Sequence, residues 1–160
     1  MEKEGVLTIA ILVLGVIAGV LGDSFILLSI LDILIIIFLL LLSSLFDNIY
    51  LYWLDYFGLI KTLNPLLLNE PFIYRIIRGV VLAPIVEELI FRGVIIGKIF
   101  KNKPYIGIIV SSITFGFAHI GVGLPIVPLQ IISGLILSIA YHKTKRVEVS
   151  ITIHALANLL

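Results

Sequence analysis

Two adjacent glutamates and an arginine interrupt an apolar run, Ala83-Pro84-Ile85-Val86-Glu87-Glu88-Leu89-Ile90-Phe91-Arg92-Gly93. Ionisable groups in hydrocarbon are costly enough that a cluster of them marks a functional site by default. On a helix Glu88 and Arg92 share a face, with the acid N-terminal to the base, the better order for an ion pair. Glu87 is rotated about 100° from that face and need not share the arginine. The spacing predicts that Glu88 and Arg92 pair for support while Glu87 is the carboxylate free for chemistry. A single buried network that only pins helices together is the alternative. Two further pairs share helical faces downstream, Phe115 with His119 and His154 with Asn158. A carboxylate desolvated by hydrocarbon can act as a general base near neutral pH, and a histidine beside it can hold the same water. Histidine and asparagine can donate to an oxygen that turns negative in a tetrahedral intermediate. Hydrolysis of a peptide bond uses such a set.

The elements that must position these groups follow from composition. The 160 residues are 61% hydrophobic and 13% charged, with a mean hydropathy of +1.24, far from the balance of a soluble domain. The chain reads as all-α: a polytopic membrane bundle of about six transmembrane helices around a buried active-site cavity. It is expected to be an integral, multi-pass protein of the lipid bilayer, in the cell membrane if prokaryotic. A net charge of +1 points to no nucleic-acid partner. Cysteine is absent, which removes disulfides, thiolate metal ligands and cysteine nucleophiles.

Residues 6–22 and 25–46 are apolar runs split by Asp23-Ser24, together too long for one crossing of about 20 residues. Asp32, near the start of the second run, has no basic or histidine neighbour in sequence and is expected to be interfacial or satisfied by a partner. Residues 47–70 collect Tyr50, Tyr52, Trp53, Tyr56 and Phe57 and read as an interfacial connector. A third span follows Pro71, carries Arg75, Arg78 and the glutamates, and runs to about Gly97; a fourth covers 105–120 and a fifth 125–141. The last starts near Val147 and at about 1.5 Å per residue reaches only about 21 Å, short of a full crossing. The loops at 98–103 and 142–146 are the more basic, against Lys3, Lys61, Arg75 and Arg78 on the other side, which weakly favours the loops as cytoplasmic. Measured from that basic side, Glu87 lies roughly 16 Å deep, His119 roughly 22 Å and His154 roughly 12 Å, close enough for tilted helices to bring them to one cavity. No repeat or linker divides the chain. It reads as one domain, 1–160, with 1–70 accessory and 71–160 the catalytic core.

Taken in order, Glu87-Glu88-x-x-x-Arg92, Phe115-x-x-x-His119 and His154-x-x-x-Asn158 resemble the three motifs of the CAAX-protease and bacteriocin-processing (CPBP, or Abi) family of intramembrane proteases. The resemblance spans residues 71–160. It implies that Glu87 and His119 activate water, that His154 and Asn158 form the oxyanion hole, and that Glu88, Arg92 and Phe115 support them. It further implies a peptide or the C-terminus of a prenylated protein as substrate, with bacteriocin immunity or peptide processing as the role of prokaryotic relatives. No cofactor is obligatory on that mechanism, although a zinc ion on Glu87, His119 and His154 is the alternative the same donors allow. The short last helix leaves Asn158 two residues from the end of the sequence, which puts the rigidity of the oxyanion hole in question.

Other intramembrane chemistries drop out by motif: there is no His-Glu-x-x-His, no Gly-x-Ser-Gly and no Gly-x-Gly-Asp. A proton- or ion-coupled transporter would also place glutamate and histidine at mid-membrane, but the chain lacks inverted halves with paired broken helices. A catalytically idle immunity or scaffold member of the family is the third class.

Overall fold

A computed structural model describes residues 30–63 and 72–159; the first apolar run, residues 6–22, lies outside them, as does the connector from Asn64 to Pro71. Among the described residues every regular element is helical. Helix α1 (Ile30–Tyr56) contains neither glycine nor proline and continues through Asp47 and the aromatic residues as far as Tyr56, so much of the stretch expected to be a connector is membrane-length helix. It stops at Gly58, whose φ of 69° only glycine adopts readily and whose N–H caps the carbonyl of Asp55 at 2.9 Å.

Helical backbone then runs without a break from 72 to 99, and we call this run α2. It alternates ordinary turns (Phe72–Ile76, Ala83–Glu88) with wider i→i+5 turns (Ile77–Leu82, Leu89–Ile99). The first wide segment ends where Ala83 donates to the carbonyl of Arg78, directly before Pro84. Proline has no N–H and its ring collides with the carbonyl four residues back, and a widened turn relieves that collision. Helix α3 (Pro104–Ala118), α4 (Val127–Thr144) and α5 (Val147–Ala157) complete the bundle.

By length and composition, Ile30–Tyr56, Pro104–Val122 and Leu124–Thr144 can each cross a membrane. Helix α2 is as long, but it carries the charges of the candidate site. Leu34, Phe38, Leu41 and Leu45 form an exposed stripe down α1, while Asp32, Ile36, Leu39 and Ser43 turn inward; an apolar outer face with polar groups inside is the pattern of a helix facing lipid. Helix α5 is buried from Val149 to Ala155. A short helix enclosed by α1, α2 and α4 has no need to span the bilayer by itself, which accounts for its length.

The tightest packing joins α3 to α4 through small residues one turn apart on each helix, Ser112 and Gly116 against Gly134 and Ser138. A Cβ on Gly116 would collide with the Ile131 side chain, and one on Gly134 would stand 3.2 Å from Phe115 and from the Ser112 backbone. Arg146 reaches Asp32 at 3.4 Å, which gives that acid the partner the sequence asked for. At the other end of α1, the Tyr50 hydroxyl donates to the carbonyl of Pro125 at 2.7 Å. The start of α1 therefore lies beside the end of α4. The ring of Tyr105 also lies 5.4 Å from that of His142, so both basic loops sit at one end of the bundle. Cysteines placed at Lys101 and Lys143, in a chain with no native cysteine, should be labelled by an impermeant reagent from the same side of a sealed vesicle. Labelling from opposite sides would contradict this arrangement.

Candidate active site

Glu88 and Arg92 are both fully buried and pair at 2.8 Å, Arg92 Nη1 donating to Glu88 Oε1. The pair predicted from helical spacing therefore forms, across the junction where α2 widens. Each member has a second commitment that spacing within one helix does not reveal. Arg92 Nη2 donates to the carbonyl of Gly134 at 2.8 Å, and its guanidinium lies 4.7 Å from the Phe115 ring centre, a cation–π contact in a desolvated setting. Glu88 Oε1 also accepts from His154 Nδ1 at 3.0 Å. The support therefore ties α2 to α4 through Gly134 and to α5 through His154.

Phe115 is 1% exposed and forms the floor of the site. Its ring meets those of Phe91 at 5.2 Å, His119 at 4.8 Å and His154 at 5.7 Å. Its carbonyl accepts from His119 Nδ1 at 2.8 Å. A carbonyl only accepts, so Nδ1 of His119 carries a proton and Nε2 is the nitrogen left for the Glu87 side. In His154, Nδ1 likewise donates to a carboxylate, that of Glu88, and Nε2 stands toward Glu87.

Both Nε2 atoms point to one place. Glu87 Oε2 stands 3.9 Å from His119 Nε2 and 4.0 Å from His154 Nε2; the oxygen is buried and makes no hydrogen bond among the described residues. Glu87 and His119 keep about a quarter of their side-chain surface exposed, on an open cavity of about 380 Å³ that also borders Phe91 and Gly121. On the other side of His154 lies a smaller cavity of about 140 Å³, whose wall includes Asn158, Gln130, Ser133 and the α1 residues Ser43 and Asp47. Asn158 follows the last turn of α5 and is exposed, but its side-chain N–H donates to the carbonyl of Gly79 at 2.7 Å. That bond anchors it to the first wide turn of α2.

The donor types of Glu87, His119 and His154 suit zinc. Zinc bound tetrahedrally at about 2.0–2.2 Å would bring its donor atoms to about 3.3–3.6 Å of one another, closer than these stand. Among the described residues no three His, Cys, Asp or Glu side chains gather as a metal site.

A family model described as Rce1-like, type II CAAX prenyl endopeptidase, matches residues 69–160. The chain belongs to that family. No curated protein and no solved structure matched it. As an Rce1-like protein it is a membrane protein and a protease at family level, with a peptide or prenylated-protein substrate and a membrane setting implied. The match takes in Glu87, Glu88, Arg92, Phe115, His119, His154 and Asn158, and stops short of α1. Even so, α1 walls the Asn158 cavity of this Rce1-like chain with Ser43 and Asp47. The carbonyls of Gly134 and Gly79 escaped the sequence reading because a backbone acceptor has no residue-type signature.

Proposed function

We propose that the protein is a multi-pass intramembrane endopeptidase that hydrolyses a peptide bond near the C-terminus of a prenylated protein or peptide, using water activated by Glu87 and His119 with no obligatory metal. The observation that carries this reading is the meeting of Glu87 Oε2 with the Nε2 atoms of His119 and His154, the Nδ1 of each ring being held from behind. One water at about 2.8 Å from each partner bridges atoms that far apart. Glu87 takes a proton from that water, and the oxygen adds to the scissile carbonyl carbon. The carbonyl oxygen becomes an oxyanion. His154, held through Nδ1 by Glu88, and Asn158, through the amide proton not used on Gly79, face the oxyanion. Collapse breaks the C–N bond, and Glu87 returns its proton to the departing amine.

Purified protein in liposomes, incubated with a farnesylated peptide and followed by mass spectrometry, tests this, with ion flux measured in parallel. Expected are a new carboxyl terminus on the prenylated fragment and no flux. Flux without cleavage would favour a transporter, and neither would favour an idle immunity or scaffold member. Cleavage is expected to survive exhaustive chelation with zinc below stoichiometry. Activity lost on chelation and restored by zinc would make the same three side chains metal ligands instead.

A further inference from the structure

The cavity of about 140 Å³ beside His154 has a wall of two characters. Leu129, Leu137 and Ile153 make part of it apolar, whereas Asp47, Gln130 and Ser133 make part of it polar. The carboxylate comes from α1, and its Oδ1 is buried and makes no hydrogen bond among the described residues. A buried carboxylate oxygen without a donor is unfavourable, and a ligand that brings an N–H relieves it. Among the described residues no Lys or Arg lines this cavity to do so. Activation of water by Glu87 and His119 leaves Asp47 without a task.

Size and position narrow the ligand. A dry cavity of about 150 Å³ holds a benzene ring, so this one has room for a single side chain and not for a prenyl chain. His154 and Asn158 are part of its wall, and they are the groups that face the oxyanion. A substrate whose scissile carbonyl meets them brings the side chain next to that bond to the mouth of the cavity. With the prenyl chain on the acyl fragment, the side chain that enters is the one on the amine side. An apolar stem ending in a cation matches both kinds of wall, since a lysine packs its methylenes on apolar surface and keeps its ammonium among polar groups. We propose that the cavity receives the substrate side chain on the amine side of the scissile bond and that Asp47 selects a basic one, lysine above all. The inference rests on the endopeptidase reading and names a preference within it. The selecting carboxylate stands on a helix outside the matched residues 69–160.

The test uses three prenylated peptides that differ only in the residue after the cleaved bond: lysine, its uncharged isostere norleucine, or alanine. The readout is the ratio of kcat/KM values within each protein, so a change in overall activity cancels. Wild type is expected to favour lysine over norleucine about ten- to a hundredfold, the worth of a charge-assisted hydrogen bond. Asp47→Asn should bring that ratio to within about threefold of one, and Asp47→Glu should keep part of it. Ser133→Leu, which fills the cavity and leaves the carboxylate in place, should slow the lysine and norleucine peptides relative to the alanine peptide. Equal cleavage of the lysine and norleucine peptides by wild type, or an undiminished ratio in Asp47→Asn, would overturn the proposal while leaving the endopeptidase standing. If Asp47→Asn does not fold, Ser133→Leu decides: wild-type ratios among its three peptides would overturn the proposal. Cleavage of none of the three by wild type would refute the endopeptidase reading and the proposal with it.

Discussion

Glu87→Gln is expected to slow cleavage of a prenylated peptide by about 10²- to 10⁴-fold, the usual contribution of a general base, with little change in the melting temperature. The substitution preserves size and hydrogen-bonding capacity but removes the oxygen's ability to take up a proton as a carboxylate. Stability should hold because Glu87 Oε2 makes no hydrogen bond among the described residues and the side chain is about a quarter exposed. His119→Ala should give a loss of similar size, since its Nε2 faces the same oxygen. A rate within about threefold of wild type for Glu87→Gln, measured with the same peptide, would remove Glu87 from the chemistry.

Arg92→Ala should act on the fold instead. Removing one partner of a buried pair leaves an uncompensated charge and costs about 3–5 kcal/mol; here Glu88 loses its ion pair and Gly134 its donor. The melting temperature in detergent should fall accordingly, and activity should fall with it as His154 loses a fixed Glu88. Replacing both partners, Glu88→Gln with Arg92→Met, should recover part of the stability, because exchanging both charges for neutral groups of similar volume avoids the stranded charge. Recovery of stability without activity would separate the two duties of Glu88, holding Arg92 and orienting His154. A fully stable yet inactive Arg92→Ala would instead assign the arginine to substrate binding or chemistry.

Much of the site's geometry was legible in the sequence because residues four apart, Glu88 with Arg92, Phe115 with His119 and His154 with Asn158, share a helical face. Glu88 and Arg92, four apart, form their pair even though the backbone widens just beyond Glu88, and counting depth along separate helices brought Glu87, His119 and His154 into one layer. Contacts between helices were harder to see. Nothing in the spacing of α2 says that Glu88 also holds His154, and Asp32 meets Arg146 from more than a hundred residues away. The aromatic residues from Tyr50 to Tyr56 looked interfacial by type; their helical state followed from what they lack, since no glycine or proline stands between Ile30 and Gly58. Asn158 looked loosely placed at the end of a short helix until the Gly79 carbonyl supplied its anchor.

The central claim is that Glu87 and His119 act on one water, and the double variant Glu87→Gln/His119→Ala tests it most directly when its kcat/KM is set beside those of the two single variants. Groups that work as one unit lose their effect together, so the double variant should be no slower than the slower single variant, within a few fold. If the two losses multiply instead, so that singles of about 10³ each combine to about 10⁶, the residues contribute independently and the shared water is contradicted.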